Sequence, residues 1–385
     1  FGTKGASVHV QAVVTVLLRH GHEVELFCRR PGDAASARGP LVEALRDERL
    51  RIHDAGRPAA SRPEDRERLL IDGDADVRRA LEAADTERPF DAVYERYALF
   101  SRAGADFALA RALPFVLEVN APLPIEQARH RGLVHAAEAD ENARRVLEAA
   151  TVAVCVSEPV AAWARAVAPG ARLAVEPNGV DPERFSAPAA RDDEPFTIGF
   201  VGTLKPWHGT EILIDAFDLV AAARPDARLV LVGDGPERAE LERRARRLAI
   251  RDRVVFTGAV EPDAVPAHLA GLHVAVAPYP AGDEEAYFSP LKVIEYMAAG
   301  LAVVASRVGQ LPALVDDGRT GVLVPGSDAV RLAEALLALA GDPERRRAMG
   351  RAARAEVEAT RTWRHIVERT FAAAGLALSQ AGVRA

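Results

Sequence analysis

Gly199-Phe-Val-Gly202-Thr-Leu-Lys205-Pro-Trp-His208-Gly209 reads as an apolar strand, a glycine-bearing turn and the entry to a helix. In an open α/β sheet, ligands bind at such carboxyl ends of parallel strands. Lys205 supplies a cation there, and Trp207 either joins the site or only packs on a surface loop. Downstream, apolar runs predict strands at Thr197–Val201, Ala227–Val232, Val254–Thr257, His273–Ala277, Ala302–Ala305 and Gly321–Leu323. Helices are expected between them, at Thr210–Arg224, Glu237–Leu248 and Pro290–Ala299, and from Asp328 to Gly375 the chain reads as almost wholly helical.

A second alternating series lies upstream. Apolar spacing predicts a helix from Ser7 to His20, then a strand Glu23–Cys28. Residues 31–88, rich in Asp, Glu, Arg and Ala, read as solvated helices and loops. Further strands are expected at Asp91–Tyr94, Phe115–Val119, Thr151–Val156 and Arg172–Glu176, with helices at Ser101–Ala112, His135–Ala149 and Pro159–Val167. Phe185–Glu194 reads as a linker. Two such series describe two open, mostly parallel sheets. The opening Gly2-Thr-Lys-Gly5-Ala-Ser7 looks like a phosphate-binding turn, which in a Rossmann-like unit follows a strand. The sequence starts at Phe1, so the first strand of that unit is expected to be missing from it.

The totals agree with two domains, because a single core stops growing at about 250–300 residues and the chain has 385. A net charge of −7 argues against a nucleic-acid partner held through phosphates. Cys28 and Cys155 sit inside apolar runs and read as buried thiols, not a secreted disulfide scaffold. No stretch approaches the roughly 18 apolar residues of a spanning helix and no signal peptide is visible, which makes the cytoplasm the simplest expectation.

Tyr287-Phe-Ser289-Pro290-Leu291-Lys292-Val-Ile-Glu295-Tyr-Met-Ala-Ala-Gly300 carries the chemistry. Pro290 suits a first helical position and Ser289 an N-cap. The helix end then offers unpaired N–H groups and positive dipole charge to a diphosphate. Lys292 would lie near that anion. Glu295 follows three residues later on the same side and can accept two hydrogen bonds from a vicinal diol such as a ribose. Alone, the pair would read equally well as solvated side chains on a capped helix.

These stretches resemble the retaining glycosyltransferases of family 4, which have the GT-B fold. Matching segments are Phe200–Gly209, Val230-Leu-Val-Gly233-Asp-Gly-Pro236, Val255-Phe-Thr-Gly258, Ser289–Gly300 and Asp317-Gly-Arg-Thr-Gly321, with Gly5, His9-Val10, Gly21-His-Glu-Val24 and Pro177-Asn-Gly-Val-Asp181 upstream. The resemblance implies two Rossmann-like domains with parallel sheets facing a cleft: an acceptor-side domain over residues 1–185 and a donor domain over 186–357. A helical segment over 358–385 would pack back on the first. By position, Ser289, Pro290, Leu291 and Lys292 would hold the diphosphate, with Gly202, Thr203, Lys205 and His208 beside it. Glu295 would hold the ribose, the backbone after Gly258 would lie near the base, and Gly5 would approach from the first domain.

The chain departs from the family pattern in two places. Tyr287 stands where a first glutamate contacts the donor sugar, and Thr203 and His208 replace a basic pair, with Lys205 able to restore part of the charge. On the acceptor side, Glu95, Arg96, Glu118 and Glu126 are candidates, the first three at strand ends. Asn120 stands where many members have a histidine beside the sugar, and equally suits a turn before Pro122. Asp72-Gly-Asp74-Ala-Asp76 lacks the spacing of a calcium loop and reads as a solvated acidic turn.

The expected function is transfer of a glycosyl unit from a nucleotide diphosphate sugar to an acceptor hydroxyl, with Lys205, Lys292 and Asn120 as catalytic candidates and neither metal nor cofactor required. A nucleotide-sugar 2-epimerase, a dinucleotide-dependent oxidoreductase and a non-catalytic glycan-binding protein are the rivals. Peripheral membrane contact stays open.

Overall fold

A computed structural model of the chain describes residues 5–29, 31, 47–56, 60, 62–185, 194–282 and 290–378. The chain forms two compact units. Of the described residues, those up to Asn178 and from Trp363 onward belong to one, and those from Gly179 to Thr362 to the other.

The second unit is a six-stranded, wholly parallel sheet. Its strands are β7 (Thr197–Val201), β8 (Arg228–Val232), β9 (Val254–Gly258), β10 (Val274–Ala277), β11 (Ala302–Ser306) and β12 (Gly321–Val324). Their spatial order is β12-β11-β10-β7-β8-β9. The chain leaves β7 toward β8 and β9, then returns to the other side of β7 as β10. The strand order therefore reverses between β7 and β10, and that reversal is where such sheets open a binding crevice. β10 and β11 are buried at every position, as expected of strands covered on both faces. Ile198, Phe200, Leu213, Phe217, Leu229, Leu231 and Leu336 share one core with no measurable exposure.

In the first unit, β3 (Val93–Arg96), β4 (Phe115–Val119), β5 (Val152–Cys155) and β6 (Leu173–Val175) make a parallel four-stranded sheet, and β1 (Val24–Cys28) pairs in parallel with β2 (Leu50–Asp54). Alternation along β4 splits its side chains. Leu117 and Val119 pack with Phe115 and Leu147 on one side, and Val116 packs with Ala374 on the other. The helix Gly5–Arg19 (α1) and the last described helix, Trp363–Ala373, pack together in this unit.

Several expectations require correction. β2 lies within residues expected to be helices and loops; its sequence Leu-Arg-Ile-His-Asp alternates but carries three polar side chains. The helix Leu123–His130 follows directly on Pro122, where the sequence pattern predicts none. Phe185 is no linker residue: it is 2% exposed, and its carbonyl accepts from Arg354 at 2.7 Å. Residues 186–193 of the expected linker lie outside the described residues. Cys155 is buried, but Cys28 is only half-buried. Asp74 is buried rather than solvated, accepting from the Ser101 hydroxyl at 2.9 Å and the Arg102 amide at 3.0 Å, while Asp72 and Asp76 pair with Arg68 and Arg79. Among the described residues, no helix is long and apolar enough to cross a membrane.

Candidate functional site

In the second unit the candidate residues gather at the β7–β10 reversal. The helix beginning at Leu291 is held against β7 by Tyr296, whose hydroxyl accepts from the Val201 amide at 2.8 Å. Pro290 occupies the N-cap position instead of the first helical one, with no side-chain cap. Ser289 and Tyr287 lie outside the described residues.

Lys292 turns its Nζ over the Phe200 ring at 4.4 Å and the Tyr279 ring at 5.4 Å. That nitrogen is buried and has no hydrogen-bond partner among the described residues. Burial pushes the Lys292 ammonium down to about 7, against the pull of Glu295. Burial likewise raises the Glu295 carboxyl, opposed by Arg184 and then by Lys292. A buried ammonium with no hydrogen-bond partner among the described residues is a candidate for binding an anion.

The loop after β7 supplies the rest. Gly202 has φ +149°, and a Cβ there would lie 2.9 Å from Lys292 Nζ. Thr203 and Trp207 are exposed, and Lys205 sets its Nζ 4.6 Å from the Trp207 ring centroid. His208 sits among Phe200, Trp207 and Tyr279 with Nδ1 against the Thr203 carbonyl. Burial, then the charge of Lys292, lowers its imidazole to about 4. His208 therefore adds no positive charge at neutral pH, and the lysines that act on it are Lys292 and Lys205. Gly258 ends β9 at φ +76°, beside Arg238.

The first unit contains a buried polar network centred on Glu118. One oxygen accepts from the Tyr94 hydroxyl at 2.7 Å and lies 2.7 Å from His9 Nε2. The other accepts from Arg96 at 3.2 Å and from the Asn120 amide. Burial alone would raise this carboxyl, but His9, then Arg96 and Asn120, hold it at about 2. His9 Nδ1 lies 2.9 Å from Asn178 Oδ1. Arg96, Glu118 and Asn120 are therefore brought together.

Glu95 points to the opposite face of the sheet, as strand alternation requires. Its carboxylate packs against Gly104, where burial and then Asp74 raise it to about 8. Glu126 stands apart on the Leu123–His130 helix, 3.7 Å from Arg131. Gly5 opens α1.

Two sequence profiles match successive parts of the chain, and the break between them falls within about twenty residues of the first passage between its units. The profile described as Glycosyltransferase Family 4 matches residues 3–184, and that described as Glycosyl transferases group 1 matches residues 195–342. The chain belongs to glycosyltransferase family 4.

Relatives of this family 4 member include a GDP-mannose-dependent monoacylated alpha-(1-6)-phosphatidylinositol monomannoside mannosyltransferase of Corynebacterium glutamicum. It is 37% identical over 209 residues, a match that spans 50% of this chain and 53% of that protein. The chain thus spans about half the length of the curated relatives it matches most strongly. A D-inositol 3-phosphate glycosyltransferase of Pseudarthrobacter chlorophenolicus is 27% identical over 91% of this chain and 85% of its own. In fold, the chain is similar to sucrose-phosphate synthase from Thermosynechococcus elongatus, with a TM-score of 0.68 at 23% identity over 95% of this chain and 92% of that one. The fold is GT-B in class, built from two Rossmann-like units.

Sequence reasoning misses several residues that surround the candidate side chains. Phe200 and Tyr279 read only as strand and loop, yet their rings line the Lys292 ammonium. Arg184, which opposes the rise of Glu295, donates to the Pro262 carbonyl at 3.3 Å. Its signal is a lone arginine just past Pro177-Asn-Gly-Val-Asp181. His9 and Asn178 lie inside the matching motifs without a task that the motifs assign.

Proposed function

We propose that this protein transfers a glycosyl unit from a nucleotide diphosphate sugar to an acceptor hydroxyl with retention, and that the donor binds on the second unit. The observation that carries this reading is the buried ammonium of Lys292, which has no partner among the described residues and lies between Phe200, Tyr279 and Gly202 where the strand order reverses. A diphosphate at that point would meet Lys292, Lys205 and the amides of Leu291 and its neighbours. Glu295 would accept from the ribose hydroxyls, and the base would lie beyond Gly258.

In the transfer, the bond from the anomeric carbon to the diphosphate oxygen breaks and its electron pair leaves with the phosphate. The acceptor oxygen bonds the anomeric carbon on the same face, and its proton passes to the departing phosphate oxygen. No metal is required in this scheme, because Lys292, Lys205 and the helix N-terminus stabilise the charge that develops. Within the first unit, Arg96 and Asn120, held by Glu118, are the candidates for contact with the sugar or acceptor.

A thermal-shift panel of nucleoside diphosphates and their sugars tests the donor assignment, since binding stabilises the native state by RT ln(1 + [L]/Kd). The Corynebacterium relative's name puts GDP-mannose first in that panel. Lys292→Ala should lower kcat/KM by roughly 10²–10³. An unchanged rate removes Lys292 from the mechanism, and turnover of donor to an isomer without acceptor would favour an epimerase instead.

A further inference from the structure

Among the described residues, the chain passes from the first unit to the second at Asn178/Gly179 and returns at Thr362/Trp363. The last residue of the first unit at each crossing reaches the same side chain. Asn178 Oδ1 lies 2.9 Å from His9 Nδ1, and the Trp363 ring meets the His9 ring edge-on with centroids 4.5 Å apart. The other ring nitrogen of His9 lies 2.7 Å from Glu118, the carboxylate that holds Arg96 and Asn120.

We infer that His9 is a positioning residue that ties both chain crossings, through Asn178 and Trp363, to the Glu118 carboxylate and so fixes Arg96 and Asn120 for the transfer step. This rests on the proposed transferase reading. His9, Glu118 and Asn178 are all at most 8% exposed, and Trp363 is 8% exposed. Glu118 accepts from or faces four side chains and is saturated, so it acts through what it holds rather than as a ligand itself. His9 also sits one turn along α1 from Gly5, so the same contact places the start of α1 against the end of β4.

The test compares wild type with His9→Gln, Asn178→Ala, the double variant, Trp363→Phe and Trp363→Leu. Release of nucleoside diphosphate from GDP-mannose and UDP-glucose gives kcat, and calorimetry with GDP and UDP gives Kd. His9→Gln and Asn178→Ala should lower kcat by about 10-fold or more, the scale of a misplaced supporting group, while Kd stays within about twofold because the donor residues lie in the other unit. The two losses should be non-additive, as for groups acting through one contact. Trp363→Phe should retain the rate and Trp363→Leu lose it. Wild-type kcat in His9→Gln, additive losses, or kcat and nucleotide affinity falling together with melting temperature would overturn the inference. If His9→Gln does not fold, the Asn178→Ala and Trp363→Leu pair decides by the same criteria. Wild type that binds neither nucleotide sinks the transferase reading itself, a result distinct from an active wild type with active variants.

Discussion

The Nζ of Lys292 lies 4.4 Å from the centroid of the Phe200 ring, with Gly202 giving it room from the same strand end. Burial holds this ammonium down at about 7, and Glu295 opposes that shift. The ring faces favour the charged form by about 0.5–2 kcal/mol, so the amine remains poised for protonation.

A diphosphate held at the proposed site would bind the protonated lysine. Below pH 7 the ammonium is already formed. Above it, binding must take up a proton, so affinity for GDP or UDP should fall by up to about tenfold per pH unit until the bound-state value is reached. Calorimetry from pH 6 to 9 in two buffers of different ionisation enthalpy should show this uptake in wild type and not in Lys292→Met. Flat affinity with no proton uptake in the wild type contradicts the assignment.

Glu295 should read the ribose. Glu295→Ala should weaken GDP or UDP binding by about 1.5–3 kcal/mol, the worth of hydrogen bonds to a charged group. The corresponding 2′,3′-dideoxynucleotide should bind wild type and variant almost alike. Equal losses for both nucleotides would mean that Glu295 supports the site without touching the sugar.

The second unit is legible in the sequence because its strands are long apolar runs punctuated by glycines. Thr197–Val201 forms the strand its residues predict, end to end, and the Tyr287–Gly300 segment points by its own residue types to Lys292 and Glu295. The first unit is less legible. β2 hides in charged sequence, and Glu95 and Glu118 look equivalent in one dimension although strand alternation sends them to opposite faces. The aromatic partners of Lys292 are invisible for a different reason. Phe200 and Tyr279 lie 92 and 13 residues from it, and only the crossover between β7 and β10 brings them together.

Two glycines in one loop should respond differently to alanine. Gly209 has φ +63°, and a Cβ there would run into the Pro278 backbone carbonyl, so Gly209→Ala should cost about 1–3 kcal/mol or more of stability. Gly202, at φ +149°, would strain an alanine as well, but there the atoms nearest a Cβ would be side-chain atoms, chiefly the flexible end of Lys292. Gly202→Ala should therefore lose nucleotide affinity well beyond its loss of stability. Melting curves with and without GDP separate the two, and the same ratio of losses at both positions would reject the distinction.

Glu95 offers a stability test that leaves the chemistry untouched. Burial, then Asp74, raises its carboxyl from the usual 4.5 to about 8, with Ser101 opposing the shift. The folded chain thus prefers the protonated acid. Between about pH 4.5 and 8 the unfolded chain is ionised while the native one is not, so stability falls as pH rises through that window and levels off above it. Glu95→Gln keeps the shape and removes the titration. It should stabilise the protein by about 1–3 kcal/mol at pH 8 and hardly at all at pH 4.5. The opposite face of β3 carries Tyr94 and Arg96, so kcat should remain within about twofold. Chemical denaturation at the two pH values checks the first claim, and a large loss of kcat at full stability would return Glu95 to the acceptor site.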